Sequence, residues 1–391
     1  MKIKIILPAL LLAGVLQASA TDIDGVACEI AGRNPELAAS RARYEAELSA
    51  ARAENTLPGL DIDFDYKFGK SENKWGGAVT QSFDWPGLYS ARRHATDRRR
   101  TAFEQLYRAD YLEQALAAKQ LLLSLARARF QLDILAEAQA NVDRLEALYN
   151  YAFERGETTI LEVRKLHLQA FELSNRRAEA EAEVEAAEAS LRALNGGADV
   201  DVAFDSVFPS ETLAVEADYL ELMVANDPTV AAQSSLLSAA ESDISVARRS
   251  ALPSFKLGYV YENEGGDSFH GFTVGIALPS WNNSARVAAS RAERLAVELG
   301  VTDYALRMRA QLSADYASAT RLGARLDAGR RTFDADEYPQ LLGKALDGGR
   351  INLFEYLREY NEYLDAKAEF IELQYNYAST VARLNRYSLL K

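Results

Sequence analysis

Three histidines and a run of glutamates are the residues best equipped for chemistry in this sequence, and their spacing does not assemble a site. His94 falls near the start of a long helical segment, His167 in the helical segment after it, and His270 in a strand-like segment. A structural or catalytic metal needs three or four such ligands around one ion, and a rise of about 1.5 Å per residue puts His167 tens of ångströms from the other two. Glu179, Glu181, Glu183, Glu185 and Glu188 invite a di-metal reading, but they lack a Glu-x-x-His partner and wind around a helix, so they read as a solvated coiled-coil surface. There is no Gly-rich phosphate loop, nucleophile elbow or HExxH stretch. The sequence therefore predicts no enzyme, no metal site and no cofactor. Cys28 is the only cysteine, which excludes an intrachain disulfide. It lies beyond the leading apolar run and follows Gly25-Val26-Ala27 without a leucine, so it reads as a free thiol rather than a lipid anchor. The formal charge is −13, or −15 once Lys2 and Lys4 are removed, and no basic face offsets it. Nucleic acid is excluded as a partner.

The elements around these residues explain more. Lys2 and Lys4, the apolar run Ile5 to Val15 and then Ala18-Ser19-Ala20 read as a signal peptide over 1–20. No other apolar run reaches the roughly 20 residues that a membrane helix needs, so any membrane crossing must be made by strands. Self-comparison pairs Asn34-Pro35 with Asp227-Pro228, Trp85-Pro86 with Leu278-Pro279, and Gly156 with Gly349, each 193 residues apart. Leu57-Pro58 recurs as Leu252-Pro253 and Ser90-Ala91-Arg92 as Ser284-Ala285-Arg286. Five landmarks in one order mean a duplication: a first unit over 21–196, a linker over 197–216 with Gly196-Gly197 at its start and Pro209 inside it, and a second unit over 217–391.

Each unit reads helix, strand, strand, very long helix, helix. From Leu88 to Tyr149 there is no proline or glycine, and Leu121, Leu125, Ala128, Leu132, Leu135, Val142 and Tyr149 keep a 4-3 spacing. Such a helix is roughly 90 Å long. Beyond Gly156 the spacing resumes through Leu166, Ala170, Leu173, Ala180, Val184, Ala187, Leu191 and Leu194. The second unit predicts a counterpart long helix over about 284–345 and a return helix over about 351–388. These stripes must be buried against one another in an elongated bundle or barrel.

Strands are expected over about 59–68, 74–85, 254–262 and 269–278. Leu60, Ile62, Phe64, Tyr66 and Phe68 alternate with Asp61, Asp63, Asp65 and Lys67, a period of two with an apolar and a charged face. Each segment is near the length of a tilted membrane strand. Trp75, Trp85 and Trp281 stand at or just beyond strand ends, where an aromatic girdle meets headgroups; bulky core residues would be the plainer use of them. Four strands cannot close a barrel, and open edges are costly in lipid. Three copies would give twelve.

Asn34-Pro35-Glu36-Leu37 opening a helix, Leu57-Pro58 before the first strand, Trp85-Pro86-Gly87 leading into the long helix, and Gly156 or Gly349 at the helical turn together resemble the TolC-like outer-membrane efflux family. The resemblance runs through both units. It implies a homotrimer with a twelve-stranded β-barrel in the outer membrane of a Gram-negative bacterium and a helical barrel in the periplasm. It further implies a periplasmic adaptor, an inner-membrane pump of the RND, ABC or similar class, and contact with outer-membrane lipid. The segment before residue 31 is short and little follows Tyr387, which implies a reduced belt around the helical barrel. Aligned on the tip turns at Gly156, Gly348 and Gly349, the family's acidic constriction maps to Glu162 and Glu355, within an ionic network of Glu154, Arg155, Glu157, Asp347 and Arg350. Arg358 falls where a second acidic residue is expected. A non-channel periplasmic coiled-coil adaptor or scaffold, its strands in a soluble sandwich, is the alternative.

Overall fold

Residues 16–18, 22–69, 73–204, 208, 209, 213, 219–278, 283–333 and 337–390 are described by the computed structural model, and the chain forms two units. The first comprises 1–38, 110–220 and 310–391, the second 39–109 and 221–309. The fold is mainly helical with one larger antiparallel sheet.

The element order repeats along the chain. The first half has α1 (Ile23–Arg33), α2 (Pro35–Ala53), β2 (Leu60–Lys67), β3 (Lys74–Phe83), α3 (Pro86–Glu154) and α4 (Ile160–Leu194). The second has α5 (Tyr219–Ala225), α6 (Pro228–Arg249), β5 (Ser254–Glu264), β6 (Asp267–Ala277), α7 (Asn283–Phe333), α8 (Tyr338–Asp347) and α9 (Leu353–Leu384), with a short 3₁₀ turn at Arg386–Leu389. Asn34 and Asp227 start α2 and α6 by the same device. Asn34 Oδ1 accepts from the amides of Glu36 and Leu37, at 2.7 and 3.4 Å. Asp227 Oδ1 accepts from those of Thr229 and Val230, at 2.9 and 3.2 Å. Proline follows each cap at the first helical position, where its missing N–H has no helical partner to lose.

The two long helices differ. α3 runs unbroken for 69 residues, whereas over the stretch expected as one helix, 284–345, the described residues form α7 to Phe333 and a separately capped α8 from Tyr338. Pro339 sits in the first turn of α8, where its missing N–H has no helical partner to lose, and Glu337 is the cap before it. The 4-3 stripe of α3 and α4 is buried at Leu125, Ala128, Val142, Leu166, Leu173, Ala180, Ala187 and Leu191. α3 is buried on two sides near its middle. Leu122 and Leu125 pack with Val26 and Ile30 of α1 and with Leu191, while Leu123 and Ala126 pack with Ile371 and Ala378 of α9.

The stretch expected as a linker is partly held. β4 (Val200–Val202) pairs in parallel with β1 (Leu16–Ala18), which lies within the expected leader, and Val202 and Phe208 are buried in the two clusters just described. No helix among the described residues is long and apolar enough to cross a membrane.

Candidate functional site: a two-faced sheet and a doubled helical turn

β2, β3, β5 and β6 lie in that order in one antiparallel sheet. The β5–β6 strands run to Glu264 and Asp267, beyond the expected ends, because Gly265 and Gly266 take positive φ of 59° and 100° and close a two-residue turn. The register places Ile62, Val79, Tyr259 and Phe272 in one row and Phe64, Gly77, Tyr261 and His270 in the next. The apolar side of the alternation in β2 is thereby continued across all four strands. Every residue of β2 is exposed, and Phe64, Phe272 and Val274 are 72%, 85% and 73% exposed.

Aromatic groups stand at both ends of β3. Trp75 packs on Tyr261, with ring centroids 5.3 Å apart, and on Phe64 at 6.4 Å. Trp85 meets Phe255 at 5.8 Å. Trp281 lies outside the described residues. His270 belongs with the group at the hairpin end, hydrogen-bonded to the Tyr259 hydroxyl and tilted against Tyr261 with ring centroids 5.2 Å apart; only the strand register could have shown this. The other face carries Asp61, Asp63, Asp65, Lys256 and Glu262, with ion pairs Lys256–Asp61 at 3.5 Å and Lys74–Glu264.

The remaining sequence candidates are at the turns from α3 to α4 and from α8 to α9, both in the first unit. The two turns are built alike. Gly156 and Gly349 have φ of 74° and 65°. Glu157 N–H reaches back to Ala152 O and Arg350 N–H to Ala345 O, each at 2.9 Å, so both helices end in the same left-handed cap, which a Cβ would strain. Gly348 precedes this in ordinary backbone, at φ −81°.

Thr159 and Asn352 then start α4 and α9 with reciprocal capping boxes. Glu162 Oε2 accepts from the Thr159 amide at 2.9 Å and from the Thr158 hydroxyl at 2.5 Å. Glu355 Oε2 accepts from the Asn352 amide at 3.0 Å. Within the single chain, Glu162 and Glu355 therefore close helix starts. That role was legible as Thr-x-x-Glu and Asn-x-x-Glu ahead of an apolar run, a signal the family resemblance overshadowed. The Thr158 hydroxyl, then the Thr159 amide, hold the Glu162 carboxyl below its ordinary value. A depressed carboxylate contributes stability above its unfolded pKa and loses it as pH falls through the lower folded one. Glu162→Gln should therefore flatten the acid limb of thermal stability below about pH 4.5, and Thr159→Ala should cost about 1 kcal/mol; melting curves against pH check both.

Around the caps, Arg155 bonds Glu157 at 2.9 Å and covers the Tyr151 ring. Arg350 forms no ion pair among the described residues, and Asp347 acts at longer range, raising the Tyr149 and Tyr356 hydroxyl pKa values after burial and other neighbours. Behind the turns lies a core of Val142, Leu145, Leu166, Leu353, Tyr356 and Leu357. Asn141 donates to the buried Tyr356 hydroxyl at 2.8 Å. Gln169 and Asn361, on the two return helices, exchange two amide hydrogen bonds of 3.0 Å.

His167 meets Glu146 at 3.0 Å. Of the glutamate run, Glu181, Glu183 and Glu188 pair with Arg177, Arg127 and Arg129. Among the described residues no three His, Cys, Asp or Glu side chains are placed to hold a metal ion.

No family profile and no curated protein matches the sequence. Solved structures do match. The Campylobacter jejuni CmeC outer membrane channel superposes with a TM-score of 0.78 at 15% identity, over 97% of this chain and 90% of that one. The outer membrane protein VceC of Vibrio cholerae gives 0.75 at 15%, over 94% and 96%. The open state of the Neisseria gonorrhoeae MtrE outer membrane channel gives 0.70 at 16%, over 95% and 92%. The chain thus adopts, along nearly its whole length, the fold of outer-membrane channels, the class its helix caps and strand–proline junctions resemble.

Proposed function

We propose that this chain is one protomer of a homotrimeric outer-membrane channel, the exit duct of a tripartite efflux or type I secretion system. The observation that carries the reading is the four-stranded sheet. One face is apolar and exposed in every strand, the other is charged, and β2 and β6 end the sheet with outer edges unpaired among the described residues. A soluble sandwich would cover that apolar face, and no described residue of its own unit does. In lipid, each unsatisfied edge group costs several kcal/mol, so the sheet must close with other copies; strands of 8 to 11 residues suit a tilted span, and three copies make a twelve-stranded barrel. The helices would form the periplasmic duct, its tip turns meeting the adaptor and inner-membrane pump. There Glu162, Glu355 and Asp347, with Arg155 and Arg350, would ring the constriction, and Arg350 would offset the carboxylates of neighbouring protomers.

The test joins assembly to conductance. Outer-membrane fractions should yield a heat-modifiable, detergent-stable trimer. In planar bilayers, Glu162→Gln and Glu355→Gln should lower cation selectivity and block by multivalent cations, and Arg350→Ala should loosen the gate and raise conductance. A folded monomer by light scattering in detergent overturns the architecture. Unchanged conductance, selectivity and block in all three variants would reduce these residues to ordinary surface charges and caps.

A further inference from the structure

The four passages between helix and strand, at Leu57, Trp85, Leu252 and Leu278, lie at one end of the sheet, and each of these side chains is at least 40% exposed. Within eight residues of them on the helical side stand six arginines, Arg52, Arg92, Arg93, Arg248, Arg249 and Arg286, and one carboxylate, Glu54. In a chain of net charge −13 this is a local reversal of sign. Arg92 is taken by Asp84 at 3.0 Å. The other five arginines form no ion pair among the described residues.

Two of these guanidiniums are held in place without being neutralised. Arg249 Nη1 donates to Gly87 O at 2.6 Å and to Ser90 Oγ at 3.2 Å, tying the end of α6 to the start of α3, and its Nε and Nη2 have no partner among the described residues. Arg286 Nη1, from α7, donates to Ser250 Oγ at 3.3 Å, one residue along from Arg249. Trp85 shows which side of the sheet they serve. Its ring packs on Phe255, which shares a row with Phe83 and Ile276 of the apolar face, and a Cβ on Gly87 would lie 3.5 Å from Trp85 Cδ1 and 3.6 Å from Arg249 Nη1. Fixed cation, indole and apolar strand face are therefore neighbours on one side.

We propose that Arg249 and Arg286 bind the phosphate of an anionic phospholipid headgroup in the periplasmic leaflet, with Arg52, Arg93 and Arg248 adding to the positive field. The proposal rests on the channel reading, in which the apolar face meets lipid. A guanidinium donates two parallel N–H bonds to phosphate oxygens, and Arg249 has those donors to spare. Eight residues of helix span about 12 Å, and an arginine stem reaches back over that distance along apolar surface to keep its head at the interface, the level at which tryptophan also settles. An unneutralised basic cluster there selects a headgroup of net negative charge over a zwitterionic one.

The experiment uses the full-length trimer in vesicles of equal parts phosphatidylglycerol and phosphatidylcholine, with bromine on the acyl chains of one lipid or the other. Trp75→Phe/Trp281→Phe leaves Trp85 as the reporter, and its quenching gives the relative association of the two lipids. At ~0.05 M salt phosphatidylglycerol should be favoured about three-fold or more, and less near 1 M, where screening reaches about 3 Å. Arg249→Gln/Arg286→Gln should bring the ratio close to one, and Arg286→Gln alone, read if the pair fails to assemble, should remove at least half of the preference. Arg41→Gln, which removes a charge paired with Glu45 far along α2, should leave it. A wild-type ratio of one, or a preference that survives the arginine variants, overturns the proposal and leaves the channel standing. A wild-type ratio of one with loss of trimer in the pair variant would instead match these arginines to carboxylates of neighbouring copies. Inorganic phosphate at matched ionic strength should not change the wild-type ratio; if it abolishes the preference, the site takes free phosphate and the lipid assignment falls. Folded wild-type protein that stays out of the vesicles overturns the channel reading as well.

Discussion

Phe64→Arg should abolish assembled channel, while Asp63→Asn one residue away leaves assembly intact. Phe64 is 72% exposed on the apolar face of β2 and touches only Trp75 among the aromatic side chains, so the substitution breaks little within the chain. If that face meets the bilayer near its midplane, a guanidinium there costs roughly 2–4 kcal/mol per protomer, and three protomers pay it together. Asp63 lies opposite Ala78 on the other face, where an amide serves as well as a carboxylate for folding. The measurement is the yield of heat-modifiable trimer in outer-membrane fractions. Equal tolerance of both substitutions would mean that the face does not contact lipid, and the soluble scaffold reading would gain.

The second large effect is expected at the helical turns. Tyr356 is 2% exposed, accepts from Asn141 Nδ2 at 2.8 Å, and stacks on Tyr360 with centroids 5.7 Å apart. Tyr356→Ala should cost about 3–5 kcal/mol, as for other large aromatic truncations in a core. Tyr356→Phe keeps the volume but leaves the Asn141 amide without its acceptor, at about 1–3 kcal/mol. Helical melting in detergent reads both. If the proposed gate is held by this core, Tyr356→Ala should also raise resting conductance, because the caps that carry Glu162 and Glu355 rest on it. Alkali gives an independent check. Burial first, then Tyr356 and Glu137, push the Tyr360 hydroxyl up from 10.0 to about 12. A raised pKa means stability that is complete below pH 10 and lost as pH rises toward 12, and Tyr360→Phe should remove that loss. A melting curve equally steep in alkali for Tyr360→Phe would place the titrating group elsewhere.

What the sequence determined was whatever depends on near neighbours along the chain. The alternation in Leu60–Phe68 fixes which side chains of β2 share a face, because successive residues of any strand point oppositely. Gly156 and Gly349 mark helix ends because only glycine takes positive φ without strain. Pro339 was as legible, and the expectation of one helix over 284–345 missed it by following the duplication in place of the local rule.

Tertiary structure decided the pairings between distant residues. The β3–β5 ladder, Trp75 against Asn263 and Phe83 against Phe255, joins hairpins from opposite halves of the chain, and alternation cannot choose a strand's partner or its register. That register gathers Trp75, Tyr261 and His270 at one end and sets Thr80 opposite Gly258, where a side chain would collide with it. The roles of Glu162 and Glu355 divide the same way. Their capping of α4 and α9 is local, set by residues three positions upstream. The place beside a pore proposed for them would depend on copies of the chain brought together by the sheet edges, since backbone groups exposed to lipid can be satisfied only by another strand.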